Sequence, residues 1–238
     1  MTESIKRLQQ MIAESENIVF FGGAGVSTES GIPDFRSVDG LYHQQYEYPP
    51  EEIISHSFFV KNPEMFYRFY RDKLMVGHVQ PNPAHLRLAA LEREGKLKAV
   101  ITQNIDGLHQ AAGSKTVLEL HGSTHRYYCT RCKRPVAEQV IAESDGVPCC
   151  ACGGRIRPDV VLYEEPLNEE ILRQAVYFIR NADMLIVGGT SLAVYPAAGL
   201  LDYYRGNKLV LINQSPTPLD QTANLLIPEK IGTVFAQV

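Results

Sequence analysis

Gly22-Gly23-Ala24-Gly25-Val26-Ser27-Thr28-Glu29-Ser30-Gly31-Ile32-Pro33-Asp34-Phe35-Arg36 follows directly on the apolar run Ile18-Val19-Phe20-Phe21, and its reading decides the fold. The run has the content of a buried strand, and the glycines mark where that strand gives way to a loop. Glycines at such a junction let main-chain N–H groups approach a pyrophosphate closely, and a helix N-terminus adds a favourable field for the anion. Gly23 and Gly25 alone fit a tight turn equally well. Three further features favour a ligand site. Ser27-Thr28 stand where the fingerprint G-x-G-x-x-G would place a third glycine, and Pro33 breaks the chain before a βαβ crossover with a ribose-binding acid can follow. Asp34, Phe35 and Arg36 then put an anion, a ring and a cation at the mouth of a nucleotide pocket.

The 238 residues carry a formal net charge of −4, which gives no general reason to expect nucleic-acid or membrane binding. No stretch is apolar and long enough to span a bilayer, and Met1-Thr2-Glu3-Ser4 lacks a signal-peptide core, so an intracellular, cytoplasmic protein is expected. No repeats, low-complexity tracts or long linkers interrupt the chain.

Local signals place the elements. Thr2 is suited to cap a helix with Ile5, Leu8 and Ile12 on one face. From Ser37 to Val79 the chain turns rich in Tyr, Phe, Pro and His, with a helix expected from Asn62-Pro63 whose Phe66 and Phe69 are read as aromatic core. Asn82-Pro83 opens another helix, with Ala84, Leu88 and Leu91 on one face and Gly95 at its end. Strand Ala99-Val100-Ile101 delivers Gln103, Asn104, Ile105 and Asp106 at its carboxyl end, where ligands of open α/β sheets collect. Asp106 also fits a plain N-cap for the short helix closed by Gly113. Val117-Leu118-Glu119-Leu120 reads as a strand ending at His121-Gly122. Arg157 to Tyr163 is expected to return to the core as an apolar strand, and Asn168 to cap a helix bearing Ile171, Ala175 and Phe178. Met184 to Val187 runs into Gly188-Gly189-Thr190-Ser191-Leu192, a second glycine turn at a strand's carboxyl end, and Leu209 to Ile212 ends at Asn213. Strands alternating with helices predict an α/β, doubly wound, mostly parallel Rossmann-like sheet.

All five cysteines lie between Cys129 and Cys152. Cys129-x-x-Cys132 and Cys149-x-x-Cys152 form two knuckles, a pattern that suits one structural, tetrahedral zinc better than two redox pairs. Cys150 lies inside the second knuckle as a competing ligand. The basic run Arg131, Lys133, Arg134 is read as a solvated face and not as a nucleic-acid contact.

Gly23-Ala24-Gly25-x-Ser27-x-x-Ser30-Gly31-Ile32-Pro33-Asp34-Phe35-Arg36 closely resembles the signature of sirtuins, the NAD-dependent protein-lysine deacylases, and the resemblance runs from about Ile18 to the C-terminus as a bacterial-type catalytic core. It implies a single catalytic domain over 1–238. Its Rossmann-like core would comprise about 1–36, 80–122 and 156–238, and a smaller zinc-ribbon and helical module about 37–79 and 123–155. By resemblance, NAD would be bound by Gly23, Ala24, Gly25, Thr28, Asp34, Phe35, Arg36, Gln103, Asn104, Ile105, Asp106, His121, Gly189, Thr190, Ser191, Asn213 and Ile231. Catalysis would fall to His121 as general base with Asn104 and Asp106, and zinc to Cys129, Cys132, Cys149 and Cys152, since Cys149 matches the family spacing. The acyl-lysine peptide would add as a strand between Val160, Val161, Leu162, Tyr163 and the segment around Val194. Gly22 stands where many members carry Thr, and Glu164 where deacetylases often carry Gly. The implied reaction removes a neutral acyl group, giving free lysine, nicotinamide and O-acyl-ADP-ribose. The neutral preference rests on Tyr42, Gln45, Tyr46 and Pro49, where sirtuins acting on dicarboxylic acyl groups pair a Tyr with an Arg. A protein mono-ADP-ribosyltransferase, or a non-catalytic NAD-binding or zinc-ribbon interaction protein, is the alternative.

Overall fold

A computed structural model describes residues 2–35, 40, 47–75, 77 and 79–238. Arg36, Tyr42, Gln45 and Tyr46 lie outside the described residues. Among those described, the strands are β1 (Ile18–Gly22), β2 (Leu97–Thr102), β3 (Val117–Glu119), β4 (Gly122–Cys129), β5 (Pro135–Val136), β6 (Ile156–Val160), β7 (Met184–Gly188), β8 (Leu209–Ile212) and β9 (Leu225–Ile227).

Six of them form one sheet in the order β3-β2-β1-β7-β8-β9, with every neighbouring pair parallel. Chain order runs outward from β1 in one direction and from β7 in the other, so it reverses between these two strands. That reversal opens a crevice at their carboxyl ends. Every residue of β1 and β7 is buried, as an all-parallel sheet covered on both faces requires. Side chains alternate as the pleat dictates: Ile18 and Phe20 face one apolar cluster, Val19 and Phe21 the other. Helices Glu3–Ala13, Pro83–Arg93 and Ile231–Phe235 cover the first face, and helix Glu169–Asn181 with the turns of Ala197–Tyr203 covers the second.

The expected caps form. Thr2 accepts from the Ile5 N–H at 3.3 Å, Asn82 from Ala84 at 2.9 Å and Asn168 from Glu170 at 2.9 Å, while Gly95 (φ 77°) ends its helix in the left-handed region. Asp106 caps from a position before the expected one: Gly107 is the cap residue of helix Leu108–Ala111, and Asp106 Oδ1 accepts from the Leu108 N–H at 2.9 Å.

Three strands, in the order β5-β4-β6, make a small antiparallel sheet. The segment from Arg157, expected to return to the core as an apolar strand, contributes instead to this smaller sheet beside β4. Its register sets Ile156 opposite Cys129 and Val160 opposite Gly122, so pairing with β4 is tied to closing the cysteine-bearing loop. Phe58, Phe59, Phe66, Tyr67, Phe69 and Tyr70 pack with Tyr127 and Ile156 into a third, aromatic-rich core, which joins the helical segment to this sheet.

His85 and His109 are fully buried behind the crevice with ring centroids 4.7 Å apart, and His85 Nε2 and both nitrogens of His109 have no partner among the described residues. Burial holds both imidazoles below the ordinary histidine value of 6.5, so both are neutral when folded. The unfolded chain binds these protons first, so stability is lost as pH falls below about 6.5, by on the order of a few kcal/mol. Thermal midpoints should fall from pH 7 to pH 4 more steeply for the wild type than for His109→Leu. Parallel profiles would contradict this reading of the pair.

Candidate active site

The two glycine turns interlock at the mouth of the crevice. Gly23 donates to the Gly188 carbonyl at 3.3 Å and Gly25 to the Gly189 carbonyl at 2.8 Å. A Cβ on Gly25 would stand 2.9 Å from Gly189, and one on Gly189 (φ 59°) 2.3 Å from the Val26 nitrogen. Glycine is needed there for contact between two backbones, and the two turns are locked together through their main chains. Ala24, Gly25 and Gly189 remain partly exposed, Thr28 and Ser191 exposed, and Thr28 Oγ1 returns to the Gly25 carbonyl at 3.0 Å.

β2 brings a polar wall against these turns. Gln103 donates from its main chain to the Gly22 carbonyl at 2.9 Å and from Nε2 to Thr190 Oγ1 at 3.1 Å, tying both glycine turns to β2. Asn104 Nδ2 donates to Ser27 Oγ at 3.0 Å, and Ser27 Oγ donates to Asp106 Oδ2 at 2.6 Å. Ser27 is thus the hinge of the cluster and was missed by the sequence reading; its position two residues beyond Gly25, inside the glycine loop, was the available signal. Asn82, also missed, buttresses the loop through the Val26 carbonyl at 2.7 Å and Ser30 Oγ at 3.0 Å.

His121 follows β3 and faces the same wall. Its Nδ1 lies 3.0 Å from the Gln103 carbonyl, which can only accept, so Nδ1 carries the proton and Nε2 keeps its lone pair. Desolvation lowers the pKa below 6.5 and the bond to Gln103 partly opposes it, leaving a neutral base at neutral pH. Gly122 (φ 77°) fixes the turn after it, because a Cβ there would stand 2.0 Å from the Asp159 carbonyl oxygen.

Asp34 and Phe35 are half-buried, and Phe35 packs on the edge of the aromatic cluster. Asn213 lies at the end of β8, its Nδ2 bonded to the Ser215 carbonyl at 2.7 Å. The Ile231 side chain is buried in the core beneath Gly188, where a Cβ would meet its Cδ1 at 2.3 Å.

The cysteines call for a correction. Cys129, Cys132, Cys150 and Cys152 gather their sulfurs within 4.8 Å of one another, whereas Cys149 is exposed and its thiol points to the Val147 carbonyl at 3.5 Å. The backbone explains the choice. Cys149 pairs with Arg155 as an antiparallel bridge, and neighbours in extended chain point to opposite faces, so Cys150 turns inward as Cys149 turns out. Cys150 is also held in a tight turn by the Gly154 carbonyl at 2.8 Å. The donor set fits zinc. Thiolates about 2.3 Å from a tetrahedral ion lie roughly 3.8 Å apart, against 3.5 Å for Cys129 to Cys152 and 3.8 Å for Cys132 to Cys150. The Cys132 and Arg131 N–H groups point at the Cys129 sulfur, as suits a thiolate ligand.

Along the expected peptide edge most main-chain groups are already engaged: Val161 N–H with the His121 carbonyl at 2.9 Å, Tyr163 N–H with Ile54 at 3.1 Å, and Leu162 N–H with Glu165 Oε2 at 2.9 Å. The Val161 carbonyl and the Glu164 amide have no main-chain partner among the described residues, which narrows where a peptide strand could add. Across from them Val194 is half-buried, its carbonyl taken by Ala198 at 2.9 Å. Glu164 has φ 74°, which explains the suitability of Gly there. Its carboxylate compensates by accepting from both the main chain and the hydroxyl of Ser57.

A crevice floored by two interlocked glycine turns, with a wall of side-chain amides and a carboxylate and a neutral imidazole, in a chain that also carries a cysteine cluster suited to a metal, defines an α/β enzyme acting on a bound nucleotide. Comparison with known proteins narrows that class. A family model described as the Sir2 family matches residues 23–196. A relative from Clostridium perfringens (strain 13 / Type A), named NAD-dependent protein deacetylase, is 57% identical over 242 residues, covering 100% of this chain and 99% of its own. A Staphylococcus aureus (strain Mu50 / ATCC 700699) relative of the same name is 41% identical, covering 98% and 97%. A solved Sir2 complex with a p53 peptide and NAD+ superposes with a TM-score of 0.89 at 41% identity, over 100% of this chain and 97% of that one. Another, with a deacetylated p53 peptide and 3'-O-acetyl ADP ribose, gives 0.91 at 41% identity, over 98% and 96%. The chain belongs to the Sir2 family.

Proposed function

We propose that this protein removes acetyl and other neutral acyl groups from protein lysines with consumption of NAD, giving free lysine, nicotinamide and O-acyl-ADP-ribose. The observation that carries the reading is His121: a neutral imidazole with Nδ1 committed to the Gln103 carbonyl and Nε2 left as a base, fixed beside the Asn104–Ser27–Asp106 cluster. The diphosphate would lie against the Gly23–Ala24–Gly25 turn, in which the Gly23 and Gly25 amides are held by Gly188 and Gly189, and Gly189, Thr190, Ser191 and Asn213 would line the far side. Asn104 and Asp106 orient the nicotinamide ribose, with Asp34 and Phe35 closing over it. NAD supplies a positively charged nicotinamide leaving group, which makes a ribose carbon open to attack by the acyl oxygen. His121 then takes a proton from a ribose hydroxyl so that this oxygen can receive the acyl group. The acyl-lysine peptide adds as a strand beside Val161 and Glu164, facing Val194. Zinc is held by Cys129, Cys132, Cys150 and Cys152 and is structural, since all four positions are filled by thiolates. Among the described residues no helix is long and apolar enough to cross a membrane, and a cytoplasmic location suits thiols kept reduced for the metal.

The test is mass spectrometry of an acetyl-lysine peptide incubated with the protein, with and without NAD. Deacylation predicts loss of the acetyl mass only with NAD. ADP-ribosyl transfer predicts a gain of ADP-ribose mass on the peptide, and a binding protein predicts no change.

The state of His121 also sets a pH profile. Its neutral form is the active one and its pKa lies below 6.5, so kcat/KM should be flat through neutrality and fall only at lower pH. An acid limb centred at or above pH 6.5 would contradict the assignment.

A further inference from the structure

Asp106 is held at three points. Ser27 Oγ donates to Oδ2 at 2.6 Å and the Leu108 N–H to Oδ1 at 2.9 Å, which fix the carboxylate. The third contact is to the main chain: His125 Nε2 lies 2.9 Å from the Asp106 carbonyl. That carbonyl only accepts, so the imidazole donates. The same ring lies over Gly107, whose φ is 71°, and a Cβ on Gly107 would stand 2.7 Å from His125 Cδ2. One residue earlier, Thr124 donates to the Ile105 carbonyl twice, from its main chain and from Oγ1, each at 2.9 Å.

The first residues of β4 thus grip two successive carbonyls of the loop that bears Asn104 and Asp106. The peptide joining Asp106 to Gly107 is otherwise the loop's weak point, because glycine has more than one backbone conformation open to it. A hydrogen bond on its oxygen and a ring against its α-carbon together hold one orientation. On its other side the ring faces the zinc-bearing module: Nδ1 stands 3.6 Å from Glu138 Oε2, on the helix Glu138–Ala142, beyond hydrogen-bond distance and attractive only with the imidazole protonated on both nitrogens. His125 also lines a cavity of about 150 Å³ with Met75, Leu108 and Ala111.

We infer that His125 is a positioning residue, which locks the Asp106–Gly107 peptide so that Asp106 presents its carboxylate to the nicotinamide ribose, and which carries the placement of the small module into the cofactor site through Glu138. The inference rests on the proposed deacylase reading. Because the contact acts on a loop that binds the cofactor and not on the acyl transfer, its loss should appear in KM for NAD.

The experiment compares wild type, His125→Ala, His125→Gln and Glu138→Gln in NAD-dependent deacetylation of one acetyl-lysine peptide, with KM for NAD, KM for peptide, kcat and zinc content measured for each. His125→Ala should raise KM for NAD about five- to tenfold, the size of one lost hydrogen bond with a freed glycine. Its peptide KM should stay within about twofold, and its zinc should be unchanged. His125→Gln keeps a donor and should recover most of the loss, while Glu138→Gln should shift KM for NAD in the same direction by less. An unchanged KM for NAD in His125→Ala, a failure of Gln to rescue, or loss of zinc from that variant would overturn the inference. A wild type inactive with NAD and peptide would instead reject the deacylase reading itself.

Discussion

Replacement of His121 by alanine should lower deacylation by about 10²–10⁴-fold, the usual contribution of a general base, with the fold retained. The side chain is anchored by its hydrogen bond to the Gln103 carbonyl, and the turn that carries it is fixed by Gly122 and by the Val161 amide on its own carbonyl. Removing the imidazole therefore leaves the loop in place and deletes the proton acceptor. In the proposed role His121 acts on a ribose hydroxyl after the bond to nicotinamide has broken, and that role predicts that exchange of labelled nicotinamide into NAD survives better than net deacylation. Steady-state turnover and exchange, measured on the same preparation, check both statements. Wild-type turnover in this variant would reject the role.

Cys150→Ala should release zinc and unfold the small module, whereas Cys149→Ala should keep a full equivalent of metal. Structural zinc supplies on the order of 10–16 kcal/mol of apparent binding energy in zinc-finger peptides, and that energy is coupled to folding. In this chain the cluster closes the end of the β4–β6 ladder where Cys129 faces Ile156, and a Cβ on Gly154 would already stand 2.6 Å from the Cys129 sulfur. Losing the cluster loosens β4, and with it Thr124 and His125 on the cofactor loop, so activity should fall without any catalytic group being touched. Metal content and thermal unfolding of the two variants decide the matter. Zinc retained by Cys150→Ala and lost by Cys149→Ala would restore the spacing-based assignment.

What was legible in the sequence was local. The strand before Gly22, the caps Thr2, Asn82 and Asn168, and the helix end at Gly95 each depend on residues a few positions apart, and each formed as expected. The glycine turn after β1 was legible for the same reason, since Gly23 and Gly25 lie in one short run directly after the strand. The rest depended on partners distant in the chain. The choice between Cys149 and Cys150 is made by the alternation of an extended segment bridged to Arg155, which a count of intervening residues does not contain. The segment from Arg157 was read as a core strand on the apolar run Val160-Val161-Leu162, but the strand that forms is Ile156–Val160, its partner is β4, and only the tertiary register shows it. Ser27 reads as one more small residue in a glycine loop until Asn104 and Asp106 arrive from another strand. Glu164 departs from glycine at a left-handed position because Ser57, in the helical segment, lies ready to hold its carboxylate.

The most direct measurement of the central claim is the stoichiometry of one reaction, followed by mass spectrometry, with an acetyl-lysine peptide and NAD as the only substrates. Acyl transfer to the ribose predicts free lysine, nicotinamide and O-acetyl-ADP-ribose formed in equal amounts, with nothing formed when NAD is omitted. Free acetate as the primary product with NAD unconsumed, or ADP-ribose retained on the peptide, would contradict it.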